Sequence, residues 1–304
     1  MASIFSNAIE DFAPTKLFLR AKDNTPGAAI LSRRKGELMD IFSKKGDISG
    51  VSATNKEEPF EFELGIKGGN PIVNIDIRDF PGEYLQNRAD VVRQFMSESE
   101  IILLAIDSVY LMENGGEMNE EVNKVEMVTR FLTEYGDKTR NKMVLLVPLK
   151  CEKYYIEGRI ENVTRNIQEK YSKLIDAMGN NNNACVITPI ETLGNVVFDY
   201  FEDNNRGNEP SKTARYCYYG DNPKYAPAFC IQPLYYLLTY VADYNEWIRN
   251  QPAEKIWERL KRRLLNFIFS NKEFNLEVSA LKRYRLTNGN GYKVVSTNSI
   301  WNGN

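Results

Sequence analysis

Ile72-Val73-Asn74-Ile75-Asp76-Ile77-Arg78-Asp79-Phe80-Pro81-Gly82-Glu83 decides the reading of this chain. Val73, Ile75 and Ile77 alternate with polar residues, the period-two pattern of a half-buried strand. The strand ends at Asp79, and Pro81-Gly82 marks a turn. Upstream, Phe60-Glu61-Phe62-Glu63-Leu64 has the same alternation, and Gly68-Gly69-Asn70-Pro71 is a turn signal between the two runs. Together they predict a hairpin.

Downstream the period changes. Val91, Val92, Phe95 and Met96 share one face at helical spacing. Ile101 to Ile106 is a continuous apolar run, as in a strand covered on both faces. A helix with Val122, Val125, Val128 and Leu132 aligned leads to a second buried strand, Met143 to Val147. A helix marked by Val163, Ile167, Tyr171, Leu174 and Met178 then leads, past Asn180 to Asn183, to the short strand Cys185 to Thr188. Strands alternating with helices predict an α/β fold, a three-layer parallel or mixed sheet with helices on both faces. Ligands of such sheets sit beyond the carboxyl ends of the strands, here just after Ile77, Ile106, Val147 and Thr188.

Residues 201–228, rich in Asn, Gly, Pro and Tyr, read as a long surface loop that offers Tyr216, Tyr218 and Tyr219 as a contact surface. Leu234 to Ile248 returns to helix. A further helix from Glu254 to about Phe269, with Lys261-Arg262-Arg263 on its exposed side, precedes a small hairpin around Asn288-Gly289-Asn290-Gly291. The expected organisation is an α/β domain over residues 1–250 and a C-terminal helix and hairpin extension over 251–304.

Composition narrows the chemistry. The 304 residues carry a net charge of -2, which gives no basic field for nucleic acid. The apolar runs are too short to span a bilayer. Histidine is absent, which removes imidazole bases and His-ligated metals. Cys151, Cys185, Cys217 and Cys230 show no C-x-x-C spacing and read as free thiols in a reducing cytoplasm.

Asp79-Phe80-Pro81-Gly82 resembles the Asp-x-x-Gly motif of P-loop GTPases of the translation-factor-related class. The resemblance covers roughly residues 45–200 and rests on the order of elements around the motif. It implies that Asp79 holds Mg2+ through water and that the Gly82 amide meets the γ-phosphate of GTP. Glu83 takes the place of the residue that orients the attacking water, where a carboxylate could act as a base but would also repel the γ-phosphate. After the second buried strand, Pro148-Leu149-Lys150-Cys151-Glu152 stands where the family has Asn/Thr-Lys-x-Asp. Lys150 would cover base and ribose, and Glu152 would replace the guanine-reading Asp with a longer acid. Thr192, in Pro189-Ile190-Glu191-Thr192-Leu193-Gly194, loosely matches the loop that meets the guanine carbonyl. Thr54, rather than Ser52, is the candidate hydroxyl ligand of Mg2+ in the first switch. Each short motif also has a plain reading, as a strand-end turn or a solvated Lys-Glu pair.

No Gly-x-x-x-x-Gly-Lys-Ser/Thr occurs in the chain. Two arrangements answer this. Ile4, Phe5, Ala8, Ile9 and Phe12 have helical spacing and could form the helix that follows such a loop. Alternatively, Lys16 to Leu19 is the first strand and Lys22 to Gly27 a degenerate loop, with Thr25 as N-cap and Pro26 in the first helical turn. The expected function is a GTPase-like switch module without its own phosphate-binding loop. It would act as a regulatory or interaction protein on another protein chain, with neither nucleic acid nor membrane as partner. The alternative is a guanine-nucleotide-binding GTPase whose loop lies outside this chain or comes from a partner.

Overall fold

The computed structural model describes residues 15–43, 56–134, 140–204, 211–250 and 271–303. Thr54, Ser52, the Ile4 to Phe12 helix and the Glu254 to Phe269 helix lie outside them. Ten strands are described: β1 Leu17–Ala21, β2 Glu58–Ile66, β3 Pro71–Asp79, β4 Ile101–Asp107, β5 Met143–Leu149, β6 Ala184–Ile187, β7 Val196–Asp203, β8 Lys212–Tyr218, β9 Asn288–Gly289 and β10 Tyr292–Ser296. The longer helices are α1 Pro26–Ser43, α2 Ala89–Glu98, α3 Val125–Glu134, α4 Ile160–Lys170, α5 Ser172–Asn180, α6 Gln232–Asn250 and α7 Lys272–Leu281.

The centre is a five-stranded mixed sheet, β4-β5-β6-β10-β9. β4, β5 and β6 run parallel, and β10 joins β6 antiparallel. β5 is buried on both faces, with Met143 to Val147 all at 0% exposure. Its side chains alternate between two cores. Met143, Leu145 and Val147 meet Leu234, Tyr236, Phe274 and Val278 of α6 and α7. Val144 and Leu146 meet Val92, Leu132, Val163 and Leu174 of α2 to α5. Helices therefore cover both faces, as expected of an α/β sheet.

β1, β2 and β3 form a separate antiparallel sheet in that order. Phe60, Phe62 and Leu64 of β2 point into the first core. Glu61 and Glu63 face outward and pair with Lys22 and Arg20 of β1 and its following turn. The β2–β3 turn requires the left-handed backbone of Gly68. Leu17–Ala21 is thus a strand, but it lies on the far side of β2 rather than in the middle of the parallel sheet, which corrects its reading as the first central strand. Lys22 to Gly27 leads into α1, which begins at Pro26. Thr25 Oγ1 accepts from the Ala28 amide, and Gly27 lets α1 lie directly on β2. A Cβ at Gly27 would stand 2.6 Å from the Pro59 carbonyl oxygen.

Residues 201–228 are not simply a loop. β7 and β8 pair antiparallel across Val196–Asp203 and Lys212–Tyr218, with a bulge between Phe198 and Tyr200. β9 and β10, read as part of a C-terminal extension, add to the central sheet.

Candidate functional site

The carboxyl ends of β4, β5 and β6 bring together Asp107, Lys150, Glu152 and Thr192, with Tyr216 of β8 beside them. Asp107 ends an apolar strand and caps the short helix Ser108–Met112 by accepting from the Val109 amide at 3.1 Å. Asn123 fixes the backbone there, accepting from the Asp107 amide and donating to the Asp107 carbonyl. Lys150 follows β5 in a left-handed conformation, φ 59°, which turns its side chain back along the strand ends. Its amine donates to Asp107 Oδ2 at 2.6 Å and to the Tyr216 hydroxyl at 2.9 Å. Burial works against the Lys150 charge, but the Asp107 carboxylate and Tyr216 outweigh it and raise the amine above its ordinary range.

Glu152 is 2% exposed. One of its oxygens, Oε1, accepts from the Leu193 amide at 2.6 Å, the Gly194 amide at 3.3 Å and the Thr192 hydroxyl at 3.1 Å. Burial pushes its carboxyl up, and the bonds from Leu193, Gly194 and Thr192 hold it back. Gly194 has φ 83°, and a Cβ there would overlap the Ala226 carbonyl. Glu152 therefore ties the loop after β6 to the turn after β5, and backbone bonds hold that loop to the Ala226 to Ala228 segment. Glu191, beside it, is pushed up to about 7 by burial and by the Glu152 charge. Cys151 is fully buried between Ser108 and the end of β5, and burial raises its thiol, so it is no nucleophile.

Asp79, Gly82 and Glu83 stand at the end of β3, on the other sheet. Phe80 anchors this turn by packing edge-on against Phe95 of α2. Gly82 and Glu83 are exposed. Gly82 has no positive φ, and the nearest atom to a Cβ built on it is 3.9 Å away, so the fold itself does not demand glycine there.

The structure joins Glu152 to Thr192 directly and places Lys150 on the neighbouring loop. Asp107, Tyr216 and Glu191 escaped the sequence reading as site residues. Asp107 carried a signal: it is an acid at the end of an apolar strand, in a position where ligands of parallel sheets gather. Tyr216 was read as a contact residue of a surface loop, because its approach to Lys150 depends on how the β7–β8 hairpin folds over the sheet. The residues do not fit guanine well. Oε1 of Glu152 is taken by three donors, and Lys150 is engaged by Asp107 and Tyr216. No described helix is long and apolar enough to cross a membrane. Comparison with protein-family models, with curated proteins and with solved structures finds no match.

Proposed function

We propose that this chain is a GTPase-like α/β module that has set aside nucleotide chemistry and works as an interaction or regulatory protein. The reading rests on the order of elements around Asp79 to Gly82 and on one observation above all. The groups that would read a guanine base, Lys150 and Glu152, are committed to Asp107, Tyr216 and the Thr192 to Gly194 loop. Oε1 of this buried carboxylate, already bonded by two amides and a hydroxyl, would have to give up those bonds to take a base, at about 1–3 kcal/mol for each donor left unpaired.

A second reading has its own support. Gly82 is exposed and sterically free to be another residue, which is what a backbone kept bare for a close-approaching phosphate would look like. In that reading the chain binds GTP and Mg2+ once a phosphate-binding loop is supplied from elsewhere. Titration of the purified chain with a fluorescent GTP analogue and Mg2+ separates the two. The first reading expects no saturable binding. Micromolar binding abolished by Asp79→Ala would establish the second.

A further inference from the structure

Asn-Gly occurs at residues 114–115 and twice in the β9–β10 hairpin, at 288–289 and 290–291. This dipeptide can react with itself. The glycine amide nitrogen attacks the asparagine side-chain carbonyl, and glycine has no Cβ to hinder the approach. Ring closure needs rotation about the asparagine ψ, so the bonds that hold each peptide decide whether it reacts. The Asn290–Gly291 peptide is held on both sides. Its carbonyl accepts from the Tyr155 hydroxyl at 3.0 Å, and its amide donates to Glu161 Oε1 at 2.9 Å. The Gly291 carbonyl accepts from Thr164, and a Cβ on Gly291 would stand 2.6 Å from Ile160, so this turn is packed as well as bonded. The Asn288–Gly289 peptide lies in the ladder between β9 and β10.

Asn114 and Gly115 stand in other surroundings. They sit in the turn Glu113–Gly116, after the short helix Ser108–Met112, and both are exposed. Asn114 has φ 50°, the same left-handed conformation as Asn290 at φ 51°, so backbone shape does not separate the two. Their tethers do. Lys153 and Tyr154 hold the Glu113 carboxylate on one side, and Lys170 donates to the Gly115 carbonyl at 2.8 Å on the other. Between these anchors, the Asn114 carbonyl and the Gly115 amide have no partner outside their own turn among the described residues.

We propose that Asn114–Gly115 is a site of spontaneous deamidation and isomerisation, a modification that the fold permits there and suppresses at Asn290–Gly291. The Gly115 nitrogen gives its proton to hydroxide and bonds to Asn114 Cγ. The Cγ–Nδ2 bond breaks, and Nδ2 takes a proton from water and leaves as ammonia. The succinimide so formed takes up one water. Opening at Cγ gives aspartate, and opening at the main-chain carbonyl carbon gives isoaspartate, with the chain running through Cγ. Either product puts a carboxylate where the Asn114 amide donates to Glu117 Oε1 at 3.4 Å. That oxygen also accepts from Lys212 of β8 at 2.7 Å. The modification therefore sets a like charge beside Glu117, at a tie between this turn and the β7–β8 hairpin.

Incubation of the folded full chain in mildly alkaline buffer made with heavy-oxygen water tests this. Digestion follows in ordinary water, and the peptides are resolved by chromatography and mass spectrometry. Heavy oxygen marks conversion that took place before digestion. The Asn114 peptide is expected to gain labelled aspartate and isoaspartate about tenfold or more faster than the Asn290 peptide, whose ties to Tyr155 and Glu161 must break first. In urea, where those ties are gone, the two should convert at similar rates. Gly115→Ala, where a Cβ meets nothing within 4 Å, should slow Asn114 by about tenfold or more in buffer and in urea alike, so this arm does not depend on how the variant folds. Absence of labelled product at Asn114 would overturn the proposal, as would equal rates at Asn114 and Asn290 in the folded chain. The same ratio of rates in urea would overturn it too, because the selectivity would then lie in the flanking sequence and not in the fold.

Discussion

The Lys150 amine stands 2.6 Å from Asp107 Oδ2, joining the ends of two adjacent parallel strands across 43 residues of sequence. Asp107 also caps a helix, and Lys150 also donates to Tyr216, so the pair ties β4, β5 and the β7–β8 hairpin together. The Asp107 side chain is 16% exposed and that of Lys150 35%, enough to deny solvent full screening.

Removing one partner should therefore cost more than a surface ion pair would. Lys150→Met is expected to lower stability by about 1–3 kcal/mol, and Asp107→Ala by about 1 kcal/mol more because the helix cap goes with it. Urea unfolding of both single variants and the double variant checks this, with a coupling energy of about 1 kcal/mol expected. Additive losses would show that the pair holds nothing together.

Glu152→Ala strands the Leu193 and Gly194 amides beneath the loop after β6. A loss of about 2–4 kcal/mol is expected, against a smaller one for Glu152→Gln, which keeps an acceptor. Thermal unfolding of the two variants should rank them in that order.

Glu191 predicts a pH dependence. Its folded-state pKa is raised from 4.5 to about 7, so between those values the folded chain holds a proton that the unfolded chain has released. This contribution favours the folded state in acid and is lost as pH rises from 4.5 to 7. Discounted for its partial exposure, the effect is on the order of 1 kcal/mol. Comparing stability across that range in the wild type and Glu191→Gln should show a downward slope with pH that is steeper in the wild type.

Gly27→Ala drives a methyl group into the Pro59 carbonyl and the Phe60 backbone. Neither is a side chain that could swing aside, so α1 must lift from β2. A loss of about 1–3 kcal/mol is expected despite the better helix propensity of alanine, measurable by urea unfolding.

Much of the fold was legible because local pattern and burial agree. Phe60, Phe62 and Leu64 alternate in sequence and in exposure, and Met143 to Val147 is apolar throughout because both its faces are covered. What the sequence hid depends on distant pairing. β10 enters the sheet beside β6 although the residues they pair lie more than a hundred positions apart, and nothing local to either strand announces it. The β7–β8 hairpin was obscured by its bulge, which shifts the alternation of β7 between Phe198 and Tyr200. At the site, Lys150, Glu152 and Thr192 were visible as polar residues at strand ends. That their atoms are spent on Asp107, Tyr216 and each other was not, because hydrogen-bond partners are set by tertiary approach.

The central claim is that these strand-end groups hold the fold rather than a nucleotide, and ligand-linked stability tests it most directly. Thermal unfolding of the purified chain should be unchanged by about 1 mM GTP with Mg2+, because a ligand stabilises only the state that binds it. A rise of about 2 °C or more that disappears in Asp79→Ala would contradict the account and return Asp79 to Gly82 to the role of a nucleotide switch.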